Sequence, residues 1–60
     1  MGEKIRELRE TRGLSQSDLA EALGVNQSTI SNWERGKMEP TIYNVRRIAD
    51  ALGVEPGALF

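Results

Sequence analysis

The chain contains no cysteine and no histidine, and its 60 residues include only one tryptophan, one tyrosine, one phenylalanine and two prolines. Without cysteine, neither a disulfide framework nor a thiolate metal site can reinforce the fold, which agrees with a reducing compartment. The missing histidine and cysteine also remove the commonest catalytic bases, nucleophiles and metal ligands. No phosphate-cradling glycine loop is present, and Glu3, Glu7, Glu10, Asp18 and Glu21 fall at solvent-facing helical positions. The expectation is therefore no enzyme, no metal and no cofactor. No apolar run is long enough to span a bilayer, and the N-terminal "MGEKIRELRE" is charged where a secretory signal would be apolar. A cytoplasmic protein with no membrane partner is expected.

What remains is enough for one small helical domain over residues 1–60. A chain of this length buries only about 60% of the surface it exposes when unfolded, so helix packing around a small core has to supply the stability. Glycine and proline punctuate a series of helical patterns, and no strand pattern competes. The first helix is predicted over Glu3 to Arg12, with Ile5, Leu8 and Arg9 on one face and Gly13 beyond its end. "SQSD" opens the second, with Ser15 as cap and Asp18 reaching back, and Leu19, Ala20 and Leu23 form its inner stripe.

Gly24 ends that helix, and Asn26 is predicted to cap a third from Gln27 to about Arg35, with Ile30 and Trp33 facing inward. After Gly36, "MEPT" connects to a fourth helix that Thr41 caps and that runs to about Leu52, with Val45, Ile48, Ala49 and Leu52 inside. "EPGALF" is the weakest pattern: Pro56 suits a first helical position, but Glu55 is a poor cap and Gly57 weakens a helix. The result is an all-α bundle of five short helices. The second and third, joined by a tight glycine turn with the small Ala20 at their crossing, fit either a helix-turn-helix or a generic αα-hairpin.

The segment "VNQSTISNWERGK", residues 25–37, holds five short polar side chains beside Gln27. On a helix starting at Gln27, the positions not used by Ile30, Trp33 and Glu34 put Gln27, Ser28, Ser31, Asn32 and Arg35 on one outward face. Glutamine and asparagine each offer a donor and an acceptor at once, as adenine does in the DNA major groove, and serine can pair either way. The bland alternative is a solvated polar face. The net charge of −1 argues mildly against a nucleic-acid partner, but residues 25–37 carry +1 and show no exposed acid if Glu34 turns inward.

"LRETRGLSQSDLAEALGVNQSTISNWERGKMEP" followed by "VRRIADALGV" resembles the Cro and phage-repressor type of helix-turn-helix domain, the XRE-like family with a lambda-repressor-like fold. The resemblance covers almost the whole chain. It implies five helices, the third inserted in the major groove of double-stranded DNA, and a transcriptional regulator acting as a homodimer on a near-palindromic operator. By the family's motif, Gln16 touches the DNA backbone at the start of the second helix. Arg35 and Lys37 are expected on phosphates near the far end of the third, and Gln27, Ser28, Ser31 and Asn32 on the bases.

Arg46 and Arg47 are weaker phosphate candidates, and Tyr43 fits either a partly buried ring or a phosphate donor. Glu39 stands where family members often place neutral or basic residues. Leu59 and Phe60 fit dimer contacts, core, or the start of a longer chain. Glu34 follows Ile30 and Trp33 at i+4 and i+1, and Arg9 shares the inner face of the first helix with Ile5 and Leu8. The two are expected to form a structural ion pair, as the matching positions do in family members. A protein-binding or antitoxin-type module on the same fold remains the alternative function.

Overall fold

A computed structural model describes residues 1–60 and contains helices and turns only. Four α-helices follow one another: α1 (Gly2–Thr11), α2 (Gln16–Leu23), α3 (Gln27–Glu34) and α4 (Ile42–Leu52). The fifth element differs from expectation, being a 3-10 helix over Pro56–Leu59. Its Ala58 N–H bonds the Glu55 carbonyl three residues back at 2.9 Å. Glu55 makes no side-chain cap, Pro56 has no N–H and Gly57 is costly to order, so four residues close a tight turn where an α-helix would need more.

Local chemistry sets the other boundaries. Ser15 Oγ accepts from Asp18 N–H at 2.9 Å while Asp18 Oδ2 accepts from Ser15 N–H at 2.9 Å, the reciprocal box expected at the start of α2. The backbone N–H donated by Ser15 holds the Asp18 carboxyl below the usual carboxylate range. Thr41 Oγ1 accepts from Asn44 N–H at 3.2 Å at the head of α4. Asn26 departs from expectation: its backbone takes the extended cap conformation, but its side chain makes no capping bond. The first turn of α3 closes through the Asn26 carbonyl, which accepts from Thr29 N–H at 3.0 Å, and the exposed amide of Asn26 is left to solvent.

The α2–α3 turn depends on Gly24. At φ +70° it occupies the left-handed region, and Val25 N–H then reaches back to the Ala20 carbonyl at 3.0 Å. Ala20 lets the two helices close on one another, and Val25 packs against the core.

The core is formed by Ile5, Leu19, Ala20, Leu23, Ile30, Trp33, Val45, Ile48, Ala49, Leu52 and Leu59. The molecule measures only 23 × 23 × 18 Å, so these few side chains make up a single small core. Leu59 lies fully within it and seals the end formed by α1 and α4, whereas Phe60 points away and is exposed. Of the alternatives for these two residues, Leu59 is core.

At the head of α1, Gly2 lies directly against the end of α3. A methyl group there would stand 2.4 Å from the Glu34 carbonyl oxygen and 2.5 Å from that of Trp33. The α1–α3 contact is thus made at backbone distance. No helix of the chain is long and apolar enough to cross a membrane.

Candidate nucleic-acid interface

α3 is held by its inner side. Ile30 is fully buried and Trp33 nearly so, and the helix packs against α2 on one flank and α1 on the other. This fixes the rotation of a helix only eight residues long and decides which side chains face out. Gln27, Ser28 and Arg35 are exposed, while Ser31 and Asn32 are half-buried at the margin of the same face. Lys37 follows in the exposed loop, its N–H bonded to the Asn32 carbonyl at 2.9 Å. The polar residues expected to share a face do so, although two of them sit lower than a purely outward placement implies.

Glu34 belongs to the inside. Arg9 Nε donates to its Oε2 at 2.6 Å and Arg9 Nη2 to its Oε1 at 3.1 Å, a two-point pairing of guanidinium and carboxylate. Arg9 Nη1 also donates to the Leu14 carbonyl at 2.8 Å, so the guanidinium ties α1, the α1–α2 loop and α3 together. Its hydrogen bond to Glu34 raises the Arg9 pKa above its ordinary value, against the desolvation that lowers it. No buried side-chain nitrogen or oxygen lacks a partner. With Glu34 withdrawn, the exposed charges of residues 25–37 are those of Arg35 and Lys37, both positive.

The carboxylate has a further partner absent from the sequence reading. Gln16 Nε2, at the first position of α2, donates to Glu34 Oε1 at 3.1 Å. Its Oε1 in turn accepts from Gln27 Nε2 at 3.4 Å, and Gln27 Oε1 accepts from Ser17 Oγ at 3.1 Å. The residue expected on phosphate and the first residue expected on bases are therefore joined by their amides, and through Glu34 to Arg9. Spacing shows that Gln16 and Gln27 each head a helix. It does not show that the heads of the two helices meet.

Arg47 is a second such case. One of its guanidinium nitrogens, Nη2, donates to the Leu23 carbonyl at the end of α2, and Nη1 donates to Asn44 Oδ1 at 3.2 Å. The group lies 5.4 Å from the centre of the Tyr43 ring, which is itself 70% exposed. Arg47 is thus occupied in joining α4 to α2, while Arg46 and Glu39 are exposed. The i−4 tyrosine and i−3 asparagine hint at a held arginine on α4, but nothing in the sequence identifies Leu23 as its target.

A helix-turn-helix family model matches residues 5–59. An uncharacterized HTH-type transcriptional regulator of Methanothermobacter thermautotrophicus is 47% identical over 51 residues, covering 85% of this chain and 74% of the relative. Some relatives are much longer: the chain spans 22% of an uncharacterized HTH-type transcriptional regulator of Mycobacterium bovis that is 43% identical over 56 residues. Among solved structures, the restriction-modification controller protein C.AhdI of Aeromonas hydrophila superposes with a TM-score of 0.93 at 41% identity, over 98% of this chain and 89% of that one. The P22 c2 repressor protein in complex with a synthetic operator gives 0.91 at 36% identity, over 98% and 89%.

Proposed function

The chain belongs to the helix-turn-helix family, and on that premise we propose that residues 1–60 act as one unit that binds double-stranded DNA sequence-specifically and regulates transcription. α3 is the reading helix, with Gln27, Ser28, Ser31 and Asn32 toward base edges in the major groove. Arg35 and Lys37 meet phosphates near its end, and Gln16 uses the amide N–H that Glu34 leaves free on a phosphate at the head of α2. The unit carries no catalytic role and acts in the cytoplasm.

One observation carries the proposal: the only acid of residues 25–37 is 8% exposed and paired with Arg9, leaving a polar face flanked by two cations on a chain whose net charge is −1. A face that merely kept the protein soluble would gain nothing from hiding its one carboxylate. A face approaching phosphates would be repelled by it. The P22 c2 repressor protein, of similar fold and in complex with a synthetic operator, supports DNA as the partner.

A single short helix reads few bases, so two copies reading half-sites about one helical turn apart supply the specificity. Selection from a random duplex library tests this, followed by a salt titration of the selected duplex. The expected result is a near-palindromic motif whose binding constant falls steeply as salt rises, with a slope set by the phosphates neutralised. No enriched motif, or affinity insensitive to salt, would instead favour a protein-binding module.

A further inference from the structure

We infer that Arg47 is a positioning residue for DNA reading: from α4 it braces the turn between α2 and α3, and so holds the head of the reading helix without touching DNA. The inference rests on α3 as the helix that reads DNA.

The head of α3 needs a brace because the core holds only the later part of the helix. Its buried residues, Ile30, Trp33 and Glu34, begin at the fourth position. Gln27 and Ser28 before them are exposed, and Thr29 is half-buried. The head therefore depends on residues 24–26, where Val25 packs against the core, and on the exposed amide of Gln27, which makes the only side-chain hydrogen bonds of residues 26–29.

At the end of α2, the Ala20 and Glu21 carbonyls accept from the Val25 and Gly24 N–H groups at 3.0 and 3.2 Å. No backbone N–H reaches the Leu23 carbonyl, one of the acceptors that a helix leaves open at its end. Arg47 Nη2 fills that place. The carbonyl belongs to the planar peptide bond that enters Gly24, whose left-handed φ of +70° turns the chain, so the grip falls where the turn starts. It is the one hydrogen bond that joins α4 to α2 or to the turn.

The guanidinium is itself held. Nη1 donates to Asn44 Oδ1 at 3.2 Å, and the group lies 5.4 Å from the centre of the Tyr43 ring. Both partners belong to α4, which Val45, Ile48, Ala49 and Leu52 fix in the core. The brace thus runs from the helix with the most buried residues to the turn that carries the least anchored end of α3. A contact that merely stabilised the fold would leave DNA binding as it is, because a protein deprived of one hydrogen bond still has only a trace unfolded. Loss of a brace frees the head of α3 and lowers base preference there, while the far end, anchored by Trp33 and Glu34, keeps its own.

The test compares the parent with Arg47→Met, which keeps an apolar stem, in random duplex selection followed by binding titrations. Gln27→Ala and Ser28→Ala assign the base pairs met by the head of α3, and Asn32→Ala those met further along. Arg47 is half-buried and outside the core cluster, and thermal unfolding verifies that each variant is folded at the assay temperature. In Arg47→Met, preference at the head's base pairs is expected to fall about three- to tenfold, as one hydrogen bond allows, with preference at the Asn32 pairs and the salt slope as in the parent. Backbone nitrogen relaxation of the DNA-free variant should show residues 24–28 becoming more mobile and residues 31–34 unchanged. Unchanged preference at the head in the folded variant, an equal loss at both sets of base pairs, or a salt slope lowered by about one unit, the mark of a phosphate contact, would each overturn the role of Arg47. A parent that enriches no motif would instead overturn DNA reading, whatever the relaxation shows.

Discussion

Arg9 and Glu34, 25 positions apart in the chain, meet through two hydrogen bonds of 2.6 and 3.1 Å with side-chain exposures of 9% and 2%. This is the only charged pair in the protein whose two members are both withdrawn from solvent; Glu10, the other carboxylate near Arg9, is well exposed at 3.9 Å. Removing one partner strands the other in the core. Arg9→Met and Glu34→Leu are each expected to cost about 3–5 kcal/mol, and the double variant markedly less than the two costs combined. Urea unfolding of the four proteins measures the coupling. A coupling near zero would show that the pair does not hold α1 to α3.

Gly2 gives a prediction of unusual sign. Alanine normally stabilises a helix relative to glycine by roughly 0.5–1 kcal/mol. At this position its methyl would sit 2.4 Å from the Glu34 carbonyl, so the head of α1 must retreat from α3. Gly2→Ala should therefore destabilise by about 1–3 kcal/mol, the usual cost of overpacking. A higher unfolding midpoint in Gly2→Ala would contradict the close contact.

Arg47→Ala removes the side-chain partner of the Leu23 carbonyl together with the stack on Tyr43. A loss of about 1 kcal/mol is expected from the hydrogen bond. Because the guanidinium is engaged within the protein, the salt dependence of DNA binding should stay at the parent's slope. A slope reduced by about one unit would assign Arg47 to phosphate instead.

Asn32 and Lys37 should separate base reading from phosphate contact. Asn32→Ala is expected to relax preference at particular base pairs, at a cost of about 1–3 kcal/mol for a lost two-point contact. Lys37→Ala should weaken binding to all duplexes alike and reduce the salt slope by about one. Binding titrations on the selected duplex and on mismatched ones distinguish the two patterns. An Asn32 variant with the parent's full base preference would remove that residue from the reading face.

The helix limits were legible because they are set within a few residues. Ser15 and Asp18 close their box across one turn, Thr41 caps Asn44 three positions on, and Gly24 reverses the chain where left-handed backbone is needed. Asn26 marks the limit of that logic, since a good capping residue lies at the right place and its side chain makes no cap. The inner faces were legible too, because a helix repeats every 3.6 residues and a buried residue implies its neighbours at i+3 and i+4. Arg9 and Glu34 could be turned inward on those grounds, as two charges each sharing a face with core residues, while their pairing also rested on the family resemblance.

By itself, the sequence determined where the helices run, which stripe of each turns inward, and that α3 displays Gln27, Ser28, Ser31, Asn32 and Arg35 together, because short-range backbone bonding and helical period govern all three. Only the tertiary structure decided that Gln16 bridges Glu34 and Gln27, that Ser17 holds the far end of that chain, that Arg47 is spent on Leu23, and that Gly2 touches the end of α3. Each of these joins residues from different elements. Such contacts depend on how packed helices cross and how far side chains reach across the gap, and no local pattern encodes that geometry.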